Sequence, residues 1–147
     1  MSSKKADMNK PILTIIRGLP GSGKTIAALF LARHKGVMVI EPDALLVEGF
    51  EYHYTPERYY LAKRFSLEMV TICGIMGCDV VYADVLPTIA DVEQVINAYC
   101  LAWAKPQIKV VEQQLMTVEE SLARNCHHVR REDIERMARE WQPWEGQ

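Results

Sequence analysis

Gly18-Leu19-Pro20-Gly21-Ser22-Gly23-Lys24-Thr25 decides how the chain is read. It fits the phosphate-loop pattern G-x-x-x-x-G-K-[ST]. The β-branched run Ile12-Leu13-Thr14-Ile15-Ile16 before it reads as a buried strand. Ile26-Ala27-Ala28-Leu29-Phe30-Leu31-Ala32 after it reads as a helix. Strand, glycine loop and helix is the order that phosphate binding requires. Gly18, Gly21 and Gly23 let the backbone approach a ligand with no Cβ in the way. The loop N–H groups, with Pro20 and Ser22 inside the cradle, and the helix N-terminus then point at the phosphates. Lys24 reaches the β- and γ-phosphates of ATP, and the Thr25 hydroxyl binds Mg²⁺. The bland alternative, a glycine turn before an ordinary helix, is disfavoured by having both flanking elements in place.

A chain of 147 residues with 49% hydrophobic and 24% charged residues has the composition of one globular domain with a real core. No apolar run approaches the roughly 18 residues of a membrane span. Residues 1–10 are polar, lack the apolar stretch of a secretory signal and read as a flexible tail. Residues 11–147 read as a single domain with a C-terminal lid and helix. Cys73, Cys78, Cys100 and Cys126 form no C-x-x-C pair. With no export signal they are expected as reduced thiols of a cytoplasmic protein, packed as small apolar residues. The net charge of −2 argues against a broad DNA-coating surface and leaves room for a small basic groove.

Arg33-His34-Lys35-Gly36 closes the first helix with basic residues and a glycine stop. Val37-Met38-Val39-Ile40 is the second strand, with Glu41-Pro42-Asp43 just past its C-terminal end. Residues 44–54 read as a loop rich in aromatics: Phe50, Tyr52, His53 and Tyr54. Thr55-Pro56-Glu57 supplies an N-cap, a first-turn proline and an acid at the positive end of a helix. That helix runs to about Met76, with Leu61, Phe65, Leu67, Glu68, Met69 and Ile72 as a mostly apolar stripe, and Gly77 ends it. Asp79-Val80-Val81-Tyr82-Ala83-Asp84 is the third strand. Thr88 with Asp91 opens a helix expected to reach about Ala104. Ile108-Lys109-Val110-Val111-Glu112 is the fourth strand, and residues 117–125 read as a short helix. Residues 131–141 form an amphipathic helix with Ile134, Met137, Ala138 and Trp141 on one face and Glu132/Arg136 and Glu135/Arg139 pairs on the other.

This alternation predicts an α/β protein with the P-loop NTPase fold, three α/β/α layers around a parallel sheet of four to five strands with right-handed crossovers. Ligands bind beyond the carboxyl ends of such strands, where the P-loop, Asp43 and Asp84 all fall. Asp43 is a candidate general base for an attacking hydroxyl, or a turn aspartate after Pro42. Asp84 is placed either to support Mg²⁺, often through water, or as a turn residue; Glu41 is a weaker competitor for both roles. The stretch from Ser121 to Arg131 carries Arg124, Arg130, Arg131, His127 and His128. It is either a lid whose arginine closes over the nucleotide or a solvated basic turn. The adjacent histidines have no partner at zinc spacing, so no zinc site is expected. Tyr52, Tyr54, Tyr59 and Tyr60 either stack on bases or pack partly in the core. Lys63 and Arg64 either meet a phosphodiester or form solvated surface.

Taken together, residues 12–25, Glu41-Pro42-Asp43, Tyr52-His53-Tyr54-Thr55-Pro56-Glu57, Val80-Val81-Tyr82-Ala83-Asp84, and Leu122-Ala123-Arg124-Asn125-Cys126-His127 with Ile134, Met137 and Trp141 resemble the P-loop kinases of the polynucleotide-kinase type. The resemblance covers about residues 12–141. It implies transfer of the γ-phosphoryl group of ATP to a 5′-hydroxyl end of nucleic acid. By position it implies Lys24 and Thr25 as holders of ATP and Mg²⁺, Asp43 as the base, Arg124 as the lid arginine and Asp84 as the acid after the third strand. Leu46 stands where the phage member of that family has an arginine three residues after its catalytic aspartate, Ala44 where many relatives have a second aspartate, and His128 and Arg130 where relatives often have glycine and proline. The 147 residues read as the kinase domain alone, so no counterpart of the phage member's phosphatase domain is expected within them. Three functions follow. The first is a kinase of nucleic-acid 5′ ends. The second is a kinase of a nucleoside, small metabolite or hydroxymethylated DNA base. The third is a nucleotide-binding switch or interaction protein. A basic channel leading to Asp43 would favour a polymer as acceptor, and a closed pocket a small molecule.

Overall fold

In the computed structural model, residues 10–49, 51–101 and 106–146 are described. Residues 1–9 of the expected tail, Phe50, and the helix end expected near Ala104 lie outside the described residues. Strand β1 (Ile12–Arg17) leads through the P-loop into helix α1 (Lys24–Lys35). Strand β2 (Met38–Ile40) leads into a 3-10 helix (Pro42–Leu46) and a small hairpin of β3 (Val47–Glu48) and β4 (Glu51–Tyr52). Then come α2 (Pro56–Met76), β5 (Val80–Asp84), α3 (Ile89–Tyr99), β6 (Gln107–Glu112), α4 (Val118–Arg124) and α5 (Arg131–Glu140).

The four longer strands form one parallel sheet in the order β2-β5-β1-β6. This is the lower of the expected strand counts. Arg17 is in register with Asp84 on one side and Glu112 on the other, so three strands end in one row. The P-loop leaves the sheet from the middle of that row. Every residue of β5 is buried, as a central parallel strand with both faces covered requires. Alternate residues serve the two layers. Leu13, Ile15, Val80 and Tyr82 pack with Val70, Cys73, Val92, Val95 and Tyr99 of α2 and α3. Ile16, Val81 and Ala83 pack with Ala28 of α1. No helix among the described residues is long and apolar enough to cross a membrane.

The helix boundaries follow the capping chemistry. The Thr55 side chain accepts from Arg58 N, Thr88 and Asp91 form a reciprocal capping box, and Thr117 and Glu120 form another. Gly36 and Gly77 close α1 and α2 in the left-handed conformation.

Four expectations are corrected. Residues 44–54 are not an open loop but a 3-10 turn and a hairpin, tied by His53 N donating to Leu46 O at 2.9 Å. On α2, Leu61, Phe65 and Ile72 face solvent at 61%, 54% and 55% exposure, while Ala62, Ser66, Val70, Cys73 and Gly74 face the core. Small residues are needed there because α2 and α3 approach closely: a Cβ on Gly74 would lie 2.3 Å from Tyr99 O. On α5 the i,i+4 pairs formed are Arg131–Glu135 and Arg136–Glu140, because Asp133 draws Arg130 and Arg136 to itself. Of the cysteines only Cys73 is buried; Cys78 and Cys126 are exposed.

Candidate active site

The P-loop is held from beneath by Arg17, the last residue of β1. Its guanidinium is fully buried, donates to Leu86 O, Pro87 O, Glu112 Oε1 and Gln142 O, and lies 4.0 Å from the Trp141 ring centre. Burial lowers its pKa, opposed by the adjacent Glu112 carboxylate. Arg17 is a structural staple and faces away from the cleft described below. Gln113 braces the loop from the side, its N–H donating to Arg17 O at 2.8 Å and its Nε2 to Gly23 O at 3.3 Å. Gly21 and Gly23 have φ of 80° and 88°, the left-handed region that favours glycine. Helix α1 starts at Gly23 with no side-chain cap, so its first-turn N–H groups have no side chain to receive them. The Ser22 hydroxyl is buried with no partner. A cradle of uncapped donors with an orphaned hydroxyl fits an anionic phosphate group.

Lys24 Nζ donates back to Leu19 O at 3.1 Å. Burial lowers its pKa, against the opposing pull of Asp84, Asp43 and Glu41. Those three acids come from the ends of β5 and β2 and converge on the lysine, as their strand positions predict. Burial raises the Glu41 pKa, opposed by the nearby Thr25 side chain and the Lys24 ammonium. Asp43 is raised too, first by burial and then by the charge of Asp84. Its Oδ1 accepts from the Tyr52 hydroxyl at 2.9 Å. Asp84 is 4% exposed and well satisfied: it accepts from its neighbour Val85 N at 2.9 Å, from the Tyr59 hydroxyl at 3.2 and 3.3 Å and from Lys63 Nζ at 3.4 Å. Hydroxyl and carboxylate oxygens around Thr25 form a hard-donor set suited to Mg²⁺ that keeps some of its water and rides on phosphates.

Helix α4 is seated directly on the phosphate loop. The buried Ser121 of α4 donates to Pro20 O at 2.6 Å. A Cβ on Gly21 would lie 2.8 Å from Arg124 C and 2.9 Å from Asn125 N. Beyond α4 the chain turns around Asn125, whose Oδ1 accepts from His127 N and Val129 N. The turn places His128 at φ 53°. The His127 ring packs on Tyr52, with centroids 4.4 Å apart.

These parts enclose a cleft of about 400 Å³. Its walls include Pro20, Gly21, Gly23, Lys24 and Thr25 on one side, Asp43 and Asp84 at the floor, and Arg124 with the 125–130 turn above. Tyr52, Tyr54 and Tyr59 line it as well, whereas Tyr60 is 61% exposed on α2 with Arg64 over its ring. Lys63 is turned inward to Asp84 and is not a free cation. Gly18 is buried beneath the loop, crowded by Ser22 and Gln113.

Sequence reasoning missed Arg17, Gln113 and Ser121. Arg17 carried a signal, a lone charge ending an apolar strand. The i,i+4 spacing of Tyr59 and Lys63 on α2 carried another, since both meet Asp84. Ser121 carried none.

The fold is that of the P-loop kinases. A chain of the Pnkp1/Rnl/Hen1 RNA repair complex superposes with a TM-score of 0.70 at 17% identity, over 95% of this chain and 46% of that one. A gluconokinase from Sinorhizobium meliloti gives 0.62 at 16% identity, over 94% and 79%. A shikimate kinase from Acinetobacter baumannii, in complex with shikimate, gives 0.54 at 18% identity, over 92% and 78%. The chain spans less than half the length of the RNA-repair chain it matches. No protein-family model and no curated protein sequence matches it.

Proposed function

We propose that the protein is an ATP- and Mg²⁺-dependent phosphotransferase that moves the γ-phosphoryl group of ATP to a hydroxyl, with the 5′ end of a nucleic acid as the leading acceptor. One observation carries this reading: the P-loop, Asp43, Asp84 and Arg124 line a single cleft. Residues 11–147 act as one kinase domain with the lid over residues 118–140. The likeness to a chain of an RNA repair complex supports a nucleic-acid acceptor. The four free thiols support a cytoplasmic setting.

In this reading the P-loop amides and Lys24 hold the β- and γ-phosphates. Thr25 and, through water, Asp84 would hold Mg²⁺, which would supply neutralisation of phosphate charge. Asp43 takes the proton of the acceptor hydroxyl as its oxygen attacks the γ-phosphorus. The bond to the β,γ-bridging oxygen breaks, ADP keeps that oxygen, and Asp43 passes its proton to water. Arg124 offsets the charge spread over the transferred group. A raised Asp43 pKa suits a proton acceptor, because a stronger base takes a hydroxyl proton more readily.

A specific observation favours a second acceptor class, a nucleoside or other small alcohol. Apart from Lys24 and Arg124, the lysines and arginines lining the cleft are matched by acids, Arg130 by Asp133 and Arg136 by Asp133 and Glu140, and on helices α2 and α5 Arg58, Lys63 and Arg131 are matched by Glu48, Asp84 and Glu119. Paired cations offer little to a phosphodiester track, and Leu46 points the same way. γ-Labelled ATP offered with 5′-hydroxyl DNA, 5′-hydroxyl RNA, nucleosides and hydroxymethylated DNA decides between the two. Label in the oligonucleotides supports the leading reading, and label in nucleosides alone supports the second. Nucleotide binding with no label in any acceptor would reduce the protein to a switch.

A further inference from the structure

One line of contacts crosses the cleft from the lid to Asp43. The hairpin strands β3 and β4 are two residues each, and Tyr52 ends the second of them. Its hydroxyl donates to Asp43 Oδ1 at 2.9 Å. Its ring lies against the His127 imidazole, centroids 4.4 Å apart and planes inclined by 31°. His127 is itself fixed by its N–H donating to Asn125 Oδ1 at 3.1 Å. The hairpin is anchored by His53 N on Leu46 O and by Arg58 reaching Glu48 at 3.6 Å.

We propose that Tyr52 is a positioning residue for phosphoryl transfer: the lid, through His127, holds the Tyr52 ring, and Tyr52 holds the Asp43 carboxylate in the orientation that receives the acceptor's proton. This rests on the reading of Asp43 as the base.

The argument is one of orientation. A carboxylate turns freely about its last bond unless something fixes it. The charged and titratable groups facing Asp43 are Asp84 and Tyr82 on β5, Lys24 on α1, Glu41 before the 3-10 helix, Tyr59 on α2, and Tyr52 and His127. Among the described residues Tyr52 alone gives Asp43 a side-chain hydrogen bond. Asp84 repels the carboxylate without directing it. Burial and the charge of Asp43 push the Tyr52 phenol far above its ordinary pKa, so it stays a protonated donor and does not compete as a base. With one oxygen held by Tyr52, the other is left to meet the acceptor hydroxyl.

The test uses the full chain, γ-labelled ATP and a 5′-hydroxyl oligonucleotide and thymidine as separate acceptors. Tyr52→Phe is expected to lower kcat on the order of tenfold, the scale of one hydrogen bond to a charged group, with KM for ATP and acceptor unchanged. His127→Ala is expected to lower kcat severalfold, and His127→Phe, which keeps a ring against Tyr52, to lower it less. The double variant Tyr52→Phe/His127→Ala is expected to be no slower than Tyr52→Phe alone, because both act through one path. Unchanged Mg²⁺-ATP affinity by calorimetry shows that each variant is folded. Wild-type kcat in Tyr52→Phe, a loss confined to KM, or additive losses in the double variant overturn the proposal. Asp43→Asn separates the two levels. If it transfers normally, the reading of the base falls and the proposal with it; if it is silent while Tyr52→Phe is normal, only the proposal falls.

Discussion

The Ser121 hydroxyl donates to the Pro20 carbonyl at 2.6 Å, joining the lid to the phosphate loop across 101 positions of sequence. Both groups are buried. Ser121→Ala therefore leaves a buried carbonyl without its donor, at a cost of about 1–3 kcal/mol. The expected outcome is weaker ATP binding, from a lid no longer seated on Gly21, together with a lower denaturation midpoint. Calorimetric ATP titration and a urea melt measure the two. Unchanged ATP affinity would mean that the latch serves stability only.

Lys24→Ala is expected to abolish ATP turnover and leave the fold intact. The lysine is only partly buried and its ammonium bonds a loop carbonyl, so the core loses nothing. The loss of transition-state stabilisation should be several kcal/mol, on the order of 10³-fold in rate. Circular dichroism and single-turnover assays check it; normal turnover would remove the P-loop from the mechanism.

Arg124→Ala is expected to reduce kcat far more than it weakens ATP binding. The side chain is exposed at the cleft and, among the described residues, no acid is paired to it; its Nη1 donates to Met116 Sδ at 3.9 Å. A free guanidinium there acts mainly on charge that develops during transfer. Steady-state kinetics decide, since a change in KM alone would make it a ground-state contact.

Asp43→Asn is expected to bind Mg²⁺-ATP and to lose transfer by roughly 10²–10⁴-fold, the usual range for a missing proton acceptor. Asp84→Asn is expected to raise the Mg²⁺ needed for half-maximal rate, with partial rescue by excess Mg²⁺. Rate and ATP affinity across a Mg²⁺ titration test both. Rescue of the first variant and not the second would reverse the two roles.

Arg17→Met is expected to destabilise the fold by about 2–4 kcal/mol. Removing one member of a largely buried ion pair is costly, and Leu86 O and Gln142 O lose the Arg17 donor as well, while Pro87 O keeps Gln142 N. The figure is kept below the upper range because Glu112 retains 32% side-chain exposure. Denaturant midpoints measure it. A neutral result would make the guanidinium dispensable to packing.

The sheet and the phosphate loop were legible because their signals are local. A β-branched run, a glycine pattern and capping threonines each state one element, and parallel order follows from their alternation. Asp43 and Asp84 were found because strand ends converge by topology. What could not be read depends on partners distant in sequence. The inward face of α2 is set by the clearance between Gly74 and Tyr99, so bulk at Leu61 and Phe65 misled the helical stripe. The hairpin at Val47–Tyr52 has strands too short to show a period. Ser121 and Arg17 gain their roles only from carbonyls brought to them by folding.

The reach of Arg17 also bears on how the molecule is made. Its acceptors lie at Leu86, Pro87, Glu112 and Gln142, in the order in which a ribosome would deliver them. Until Gln142 has emerged, the centre of the nascent sheet holds a cation whose partners are incomplete, and closing the β1 layer over it is unfavourable. The β1 layer is thus expected to close around Arg17 only once residues 86, 87, 112 and 142 have come together.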